Sequence, residues 1–263
     1  NAVDDAMKKA SPWIAFEAKD DKGVVIDDFM DVSISSDGIL VILNGDGIAY
    51  QYDFDKKYFV ALDPGKDNAA LRFDSISAGS ADDVWAISSA GDIYEHDKDG
   101  WHLRSKDVKA VTIAVGLGGT TDKAILALNG DGELFMLKDI KDGAATWTLV
   151  KDVNFDHVAV GDKDNMWAVD NGQLYQYKGA QWVPVIGKDG KPTSGFEQVA
   201  TNAAGGSVWL LTVKGDAFVK GMKGVEIKKE EPKVAGEKPT LTAEAGKEAP
   251  RAGVVVTKAD QEK

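Results

Sequence analysis

Residues 164–177 read DNMWAVDNGQLYQY, with apolar and polar positions alternating on both sides of Asp170-Asn171-Gly172. A period of two sets one face of an extended strand against a core and the other toward solvent. An Asn-Gly pair between two such runs signals a tight hairpin. The pattern returns in DDVWAISSAGDIYEHD (82–97) and GSVWLLTVKGDAFVK (206–220). Looser copies are GILVILNGDGIAYQYD (38–53) and KAILALNGDGELFML (123–137). Aligned on the first strand of each hairpin, they form the column Val41, Trp85, Leu126, Trp167 and Trp209, spaced by 44, 41, 41 and 42 residues. Repeats of about 40–45 residues with this strand content predict propeller blades of four strands each.

The hairpins supply the second and third strands. Candidates for the innermost strand are 31–35, 75–79, 112–116, 157–161 and 198–202, mostly small and β-branched, as suits strands converging around a channel. The fourth strand opens on an aromatic residue: Tyr58 or Phe59, then Trp101, Trp147 and Trp182. No Trp follows the fifth hairpin, but residues 12–18 carry Trp13 in the matching place. The N-terminal strand is therefore expected to complete the last blade, which pairs two otherwise exposed sheet edges. The alternative is that 224–228 (GVEIK) is the fourth strand and Trp13 is peripheral. The expected fold is all-β: a β-propeller of four-stranded antiparallel blades, five in number and closed by the N-terminal strand. The expected organisation is a leader over 1–11, the propeller over 12–227 and an extended tail over 228–263.

That tail has no aromatic residue, holds three of the seven Pro, and carries eight basic and seven acidic side chains. It cannot bury enough apolar area to fold alone, and Val254-Val255-Val256 is the one stretch suited to adding to a sheet edge. The chain's net charge of −12 therefore resides on the propeller and argues against non-specific binding to nucleic acid phosphates. At 263 residues and 43% apolar content a full core is available. No apolar run approaches the roughly 18 residues of a helical membrane span. The absence of Cys removes disulfides, thiolate metal sites and Cys nucleophiles together. The chain opens on Asn1, not Met, which carries the expectation of a processed, exported form: secreted, periplasmic or on the cell surface.

Motifs for catalysis are missing. HExxH, GxSxG and a Gly-rich phosphate loop do not occur, and GLGGT (116–120) is followed by neither a helix nor Lys-Ser/Thr. The DKDG and DKDN stretches at 97–100 and 162–165 fail as EF-hands, because no Glu closes a twelve-residue loop in register. His96, His102 and His157 fall on different strands of the repeat, and His96 takes the place of Tyr52 and Tyr177. A sialidase-type propeller binds its carboxylate with three Arg, whereas only Arg72 and Arg104 lie within the repeats here. No enzyme activity, cofactor or metal is therefore expected. The Asp- and Gly-rich hairpin tips are explained by turn chemistry, since Asn, Asp and Gly tolerate positive φ. If the tips also bind a ligand, Asp92 and Asp131 are the positions. Trp85, Trp167 and Trp209 share a face with core residues, so packing between blades explains them. Trp101, Trp147 and Trp182 lie nearer the expected rim, where an aromatic face can stack on a pyranose ring. Trp101, Trp147, Trp182, Asp92 and Asp131 are thus the candidate ligand-binding residues.

VWAISSAGDIYEHDKDGWHL and MWAVDNGQLYQYKGAQWVPV, together with Ile113-Ala114-Val115-Gly116 and Val158-Ala159-Val160-Gly161, resemble the tectonin β-propeller repeat. The resemblance covers about residues 12–222, strongest in the second and fourth repeats. It implies lectin-like binding of a glycan or cell-surface polysaccharide outside the cytoplasm. Six blades are usual in that family, so six is the alternative to the five counted here, and five-bladed tachylectin-like geometry is the nearer match. The motif is structural and marks no sugar ligand. The expected function is a non-enzymatic module that binds carbohydrate through loops between blades. The alternative is an accessory subunit of a larger extracellular assembly, with 228–263 docking on a protein partner.

Overall fold

The structure is a computed structural model, and it describes residues 17–35, 37–62, 70–117, 123–201, 207–212, 214–215 and 217–220. The described residues form five antiparallel sheets and no helix. Blade 1 is β1 (Phe29–Ile34), β2 (Leu40–Asn44), β3 (Ala49–Asp53) and β4 (Tyr58–Ala61). Blade 2 is β5 (Phe73–Ser80), β6 (Asp83–Ser88), β7 (Ile93–Asp97) and β8 (Gly100–Ser105). Blade 3 is β9 (Ala110–Gly116), β10 (Ala124–Asn129), β11 (Glu133–Lys141) and β12 (Ala144–Asn154). Blade 4 is β13 (His157–Asp162), β14 (Asn165–Asp170), β15 (Gln173–Lys178) and β16 (Gln181–Pro184). Blade 5 comprises β17 (Phe196–Thr201), β18 (Val208–Thr212) and β19 (Ala217–Lys220). The molecule is a five-bladed propeller, as the repeat predicts. Of the expected closing strand at 12–18 only Glu17 and Ala18 are described, and they carry no strand pairing; residues 12–16, the alternative at 224–228, the leader and the tail lie outside the described residues.

The repeat column keeps its register. Val41, Trp85, Leu126, Trp167 and Trp209 pair with Ser33, Ser77, Ala114, Ala159 and Ala200 of the innermost strands. Because side chains alternate with a period of two, that register sends one set to the seam with the next blade and the other to the preceding one. Four seams result. Val41, Leu43 and Ala49 meet Phe73, Ile76 and Trp101. Trp85, Ile87 and Ile93 meet Val108, Ile113 and Ile125. Leu126, Leu128 and Leu134 meet Phe155, Val158 and Met166, and Trp167, Val169 and Leu174 meet Phe196, Val199 and Val208. The other face of blade 1, with Ile42 and Phe59, is packed by Ala18 and Ile26.

The hairpin tips do mechanical work that their turn chemistry alone does not show. At Asn171 and Gly172, φ is 47° and 78°, the paired positive values of a type I′ turn. The Gly172 carbonyl then accepts from the N–H groups of Gly195 and Phe196, at the start of the next blade, at 2.9 and 3.1 Å. The same clasp joins Gly47 O to Phe73 N (3.0 Å), Gly91 O to Ala110 N (3.0 Å) and Gly132 O to Phe155 N (2.9 Å). A Cβ at Gly47 would lie 3.0 Å from the Phe73 nitrogen, so glycine is needed there for approach as well as for φ.

Candidate functional site

The innermost strands surround a channel of 570 Å³, within the size range of small-molecule sites, about 300–1,000 Å³. Its end nearest the clasps carries a consistent irregularity. In β1, β5, β9 and β17 the register slips by one residue, leaving Met30, Asp74, Val111 and Glu197 as bulge residues. In blade 4 Asp156 takes that role, its N–H donating to the Val169 carbonyl opposite His157 (2.8 Å). A bulge re-aims a side chain out of the ladder, and all five are exposed at the channel mouth. Asp74 accepts from the Ser89 hydroxyl (2.9 Å) and Asp156 from the Asn171 N–H (2.7 Å).

One step inside lies a level of five polar side chains: Asp31, Ser75, Thr112, His157 and Gln198. The next level is Ser33, Ser77, Ala114, Ala159 and Ala200. The two sides of the channel then differ. On blades 1 and 2 the polar groups are spent on the neighbouring blade. Asp31 accepts from the Ile76 N–H (2.9 Å) and the Ser75 hydroxyl (3.2 Å), Ser33 from the Ala78 N–H (2.9 Å), and Ser77 from the Val115 N–H (3.0 Å). On blades 3, 4 and 5, Thr112, His157 and Gln198 make no side-chain hydrogen bond, and the level below them is alanine. Burial alone lowers the His157 pKa from the ordinary histidine value, so its imidazole is neutral near pH 7. Among the described residues no Lys or Arg lines the channel. At the same end, a shallow cleft runs from Asp156 and Glu197 across Asn171 and Ser194.

The residues singled out in the sequence are not assembled into one site. Trp101 is 6% exposed, stacked against Phe73 at 4.3 Å, with its indole N–H donating to the Leu62 carbonyl (3.0 Å). Trp147 is half-buried edge-on to Trp85 (6.3 Å), and Trp182 is half-buried against Phe155 (4.9 Å). Trp101 is buried in the seam, while Trp147 and Trp182 remain partly exposed as they pack on the preceding blade, which the fourth strand's inward face meets. Asp92 forms an ion pair with Lys109 (2.5 Å), and Asp131 is exposed in a turn with its N–H on Asn129 Oδ1 (3.0 Å). Among the described residues no three His, Asp or Glu side chains are grouped to hold a metal, and no helix is long and apolar enough to cross a membrane.

No family model matches the chain, and no curated protein matches it. Solved structures do. The chain is similar to YCF48 from Cyanidioschyzon merolae, at 17% identity over 69% of this chain and 65% of that one, with a TM-score of 0.50. It is similar to a virginiamycin B lyase from Staphylococcus aureus at 14% identity, over 73% of this chain and 69% of that one, with a TM-score of 0.44. It is also similar to the β-propeller domain of Cps50 (Swd1) from Myceliophteria thermophila, at 12% identity over 76% and 87% of the two chains and a TM-score of 0.46. What is shared at such identities is the fold. The tectonin resemblance rests on the blade motif alone.

Proposed function

We propose that this protein is a non-enzymatic binding module that takes carbohydrate at the mouth of the propeller channel, outside the cytoplasm. The observation that carries the reading is the unpartnered arc of Thr112, His157 and Gln198. Half-buried polar groups without partners are costly unless a ligand or solvent satisfies them. A hydroxyl, a neutral imidazole and an amide supply the mixed donors and acceptors that sugar hydroxyls need. The tectonin-like motif of blades 2 and 4 supports the same class of ligand. Glycoside cleavage needs two carboxyl groups flanking one bond. Among the described residues lining the channel Asp31 is the one carboxylate, and both its oxygens are engaged: Oδ2 accepts from the Ile76 N–H and the Ser75 hydroxyl of blade 2, and Oδ1 accepts from the Val32 N–H. A glycan array probed with the full chain tests the proposal. Reproducible binding to one sugar class is expected, and a blank array together with a fixed co-purifying protein would overturn it.

A second reading is an accessory subunit that docks a protein partner. It is favoured by blade 5, where Trp209 is 37% and Phe218 is 50% exposed. Trp is the side chain most often found at the energetic centre of protein interfaces. Docking through 228–263 belongs to this reading. Loss of the co-purifying protein on Trp209→Ala, with glycan binding absent throughout, would select it.

A further inference from the structure

We infer that the channel mouth receives a single uncharged sugar residue, end-on, between Thr112, His157 and Gln198. This rests on the carbohydrate reading above and narrows it to one ligand charge and one site. The ring's two sides divide the work. Asp31, Ser33, Ser75 and Ser77 hold blades 1, 2 and 3 together by hydrogen bonds of 2.9–3.2 Å, so they have little left for a ligand. The opposite arc presents three polar side chains at one level with no protein partner, above Ala114, Ala159 and Ala200. A pyranose carries hydroxyls around its edge, and the arc matches that edge.

The charge of the ligand follows from what surrounds that level. Asp31 lies within it, Asp74, Asp156 and Glu197 stand at the bulged rim, and among the described residues no Lys or Arg lines the channel. Glu197 makes no hydrogen bond or ion pair that would neutralise it. Lys109, the cation beside Val111, is engaged by Asp92 and the Ala90 carbonyl. A uronic or sialic acid would bring a carboxylate into a low-dielectric opening already negative, and Arg72, two residues before Asp74, already donates to the Leu71 carbonyl (2.7 Å). Blades 4 and 5 continue the surface in the cleft past Asn171 and Ser194, which gives the next residue of a longer glycan somewhere to lie.

The test uses the full chain and small probes, by isothermal titration and ligand-observed NMR. The probes are methyl glucoside, methyl galactoside, methyl mannoside, methyl N-acetylglucosaminide, glucuronic acid and glucosamine. At least one uncharged glycoside is expected to bind, and glucuronic acid to bind at least tenfold more weakly than glucoside. Thr112→Val and Gln198→Leu remove hydrogen-bonding groups at nearly constant volume, and each is expected to weaken binding about tenfold, the loss of one good hydrogen bond. Neither side chain has a protein partner, so thermal midpoints should stay at the wild-type value. That control separates a lost contact from a lost fold. Glycan-array binding that survives both substitutions at full strength would overturn the channel site and leave the carbohydrate reading standing. Preference for glucuronic acid would overturn the charge argument, and the absence of binding to every sugar would overturn both readings.

Discussion

Trp85 and Trp167 occupy the same place in blades 2 and 4, yet their seams are held by different chemistry. In both, the indole N–H donates at 2.7 Å to the side chain two residues earlier, Asp83 Oδ1 in one and Asn165 Oδ1 in the other. The second contact of that side chain crosses to the next blade. Asp83 takes Lys123 Nζ at 2.6 Å, and Lys123 also lies over the Trp85 ring and 3.7 Å from Glu95. Glu95 in turn receives Arg104 Nε at 2.6 Å, and Arg104 reaches the Gly143 carbonyl of blade 3. Asn165 instead donates to Thr201 Oγ1 at 3.1 Å, which donates to the Ser207 carbonyl. The carboxylate thus recruits a chain of charges and the amide a chain of neutral hydrogen bonds. Position −2 of the tryptophan strand decides which kind of seam forms. The third copy, Trp209, follows Ser207 and is 37% exposed, while Trp85 and Trp167 are 0% and 3% exposed. Gly215, at the tip of the same hairpin, makes no clasp among the described residues.

The largest way to break this comparison is to remove the tryptophans themselves. Trp85→Ala should cost about 3–5 kcal/mol, the range for a large buried aromatic, and Trp209→Ala should cost about half as much. Urea unfolding of the two variants checks this, and equal losses would mean that the fifth blade is as tightly seated as the second. The next contrast is charge. Glu95→Ala removes the 2.6 Å partner of Arg104, whose side chain is 12% exposed, while Lys123 keeps Asp83, and should cost about 3 kcal/mol. Gln176 takes the position opposite Trp167 that Glu95 takes opposite Trp85. Gln176→Ala should stay within about 0.5 kcal/mol, because it breaks no side-chain hydrogen bond. Between these two lies Asn165→Ala, about 1 kcal/mol for the lost bonds to Trp167 and Thr201.

The seams were legible because each rests on a period-two pattern repeated at nearly constant spacing. One column, Val41 to Trp209, sets the register of all five blades. The bulges were not legible. One extra residue against a partner strand leaves no mark in either strand alone, so Met30, Asp74, Val111 and Glu197 fall just before the expected strands at 31–35, 75–79, 112–116 and 198–202 and carry no signal of their own. The same slip hid the arc. Thr112, His157 and Gln198 each open an expected innermost strand, but the small residues dominate those strands, and a polar side chain at a strand's first position is indistinguishable from an ordinary exposed strand end. Trp101, Trp147 and Trp182 misled for a different reason. Alternation tells which face a residue takes, but not whether that face meets solvent or another blade.

The smallest effect is also the one that sets blade 2 against blade 4 most cleanly. His96 and His157 are both kept neutral by burial, but Asp97 and Asp82 beside His96 oppose the shift, while nothing charged opposes it at His157. The folded pKa of each is below the unfolded value of about 6.5. As pH falls through that value, the unfolded chain takes up protons that the folded chain does not, and stability declines until the folded pKa is reached. Each histidine can contribute at most about 1.4 kcal/mol per pH unit to that slope. Carboxylates titrate lower, so urea midpoints between pH 7.5 and 5.5 report mainly on the histidines. His157→Gln should flatten the decline more than His96→Gln. A slope unchanged by His157→Gln would show that its imidazole is solvated in the channel, which would also remove it from the neutral arc.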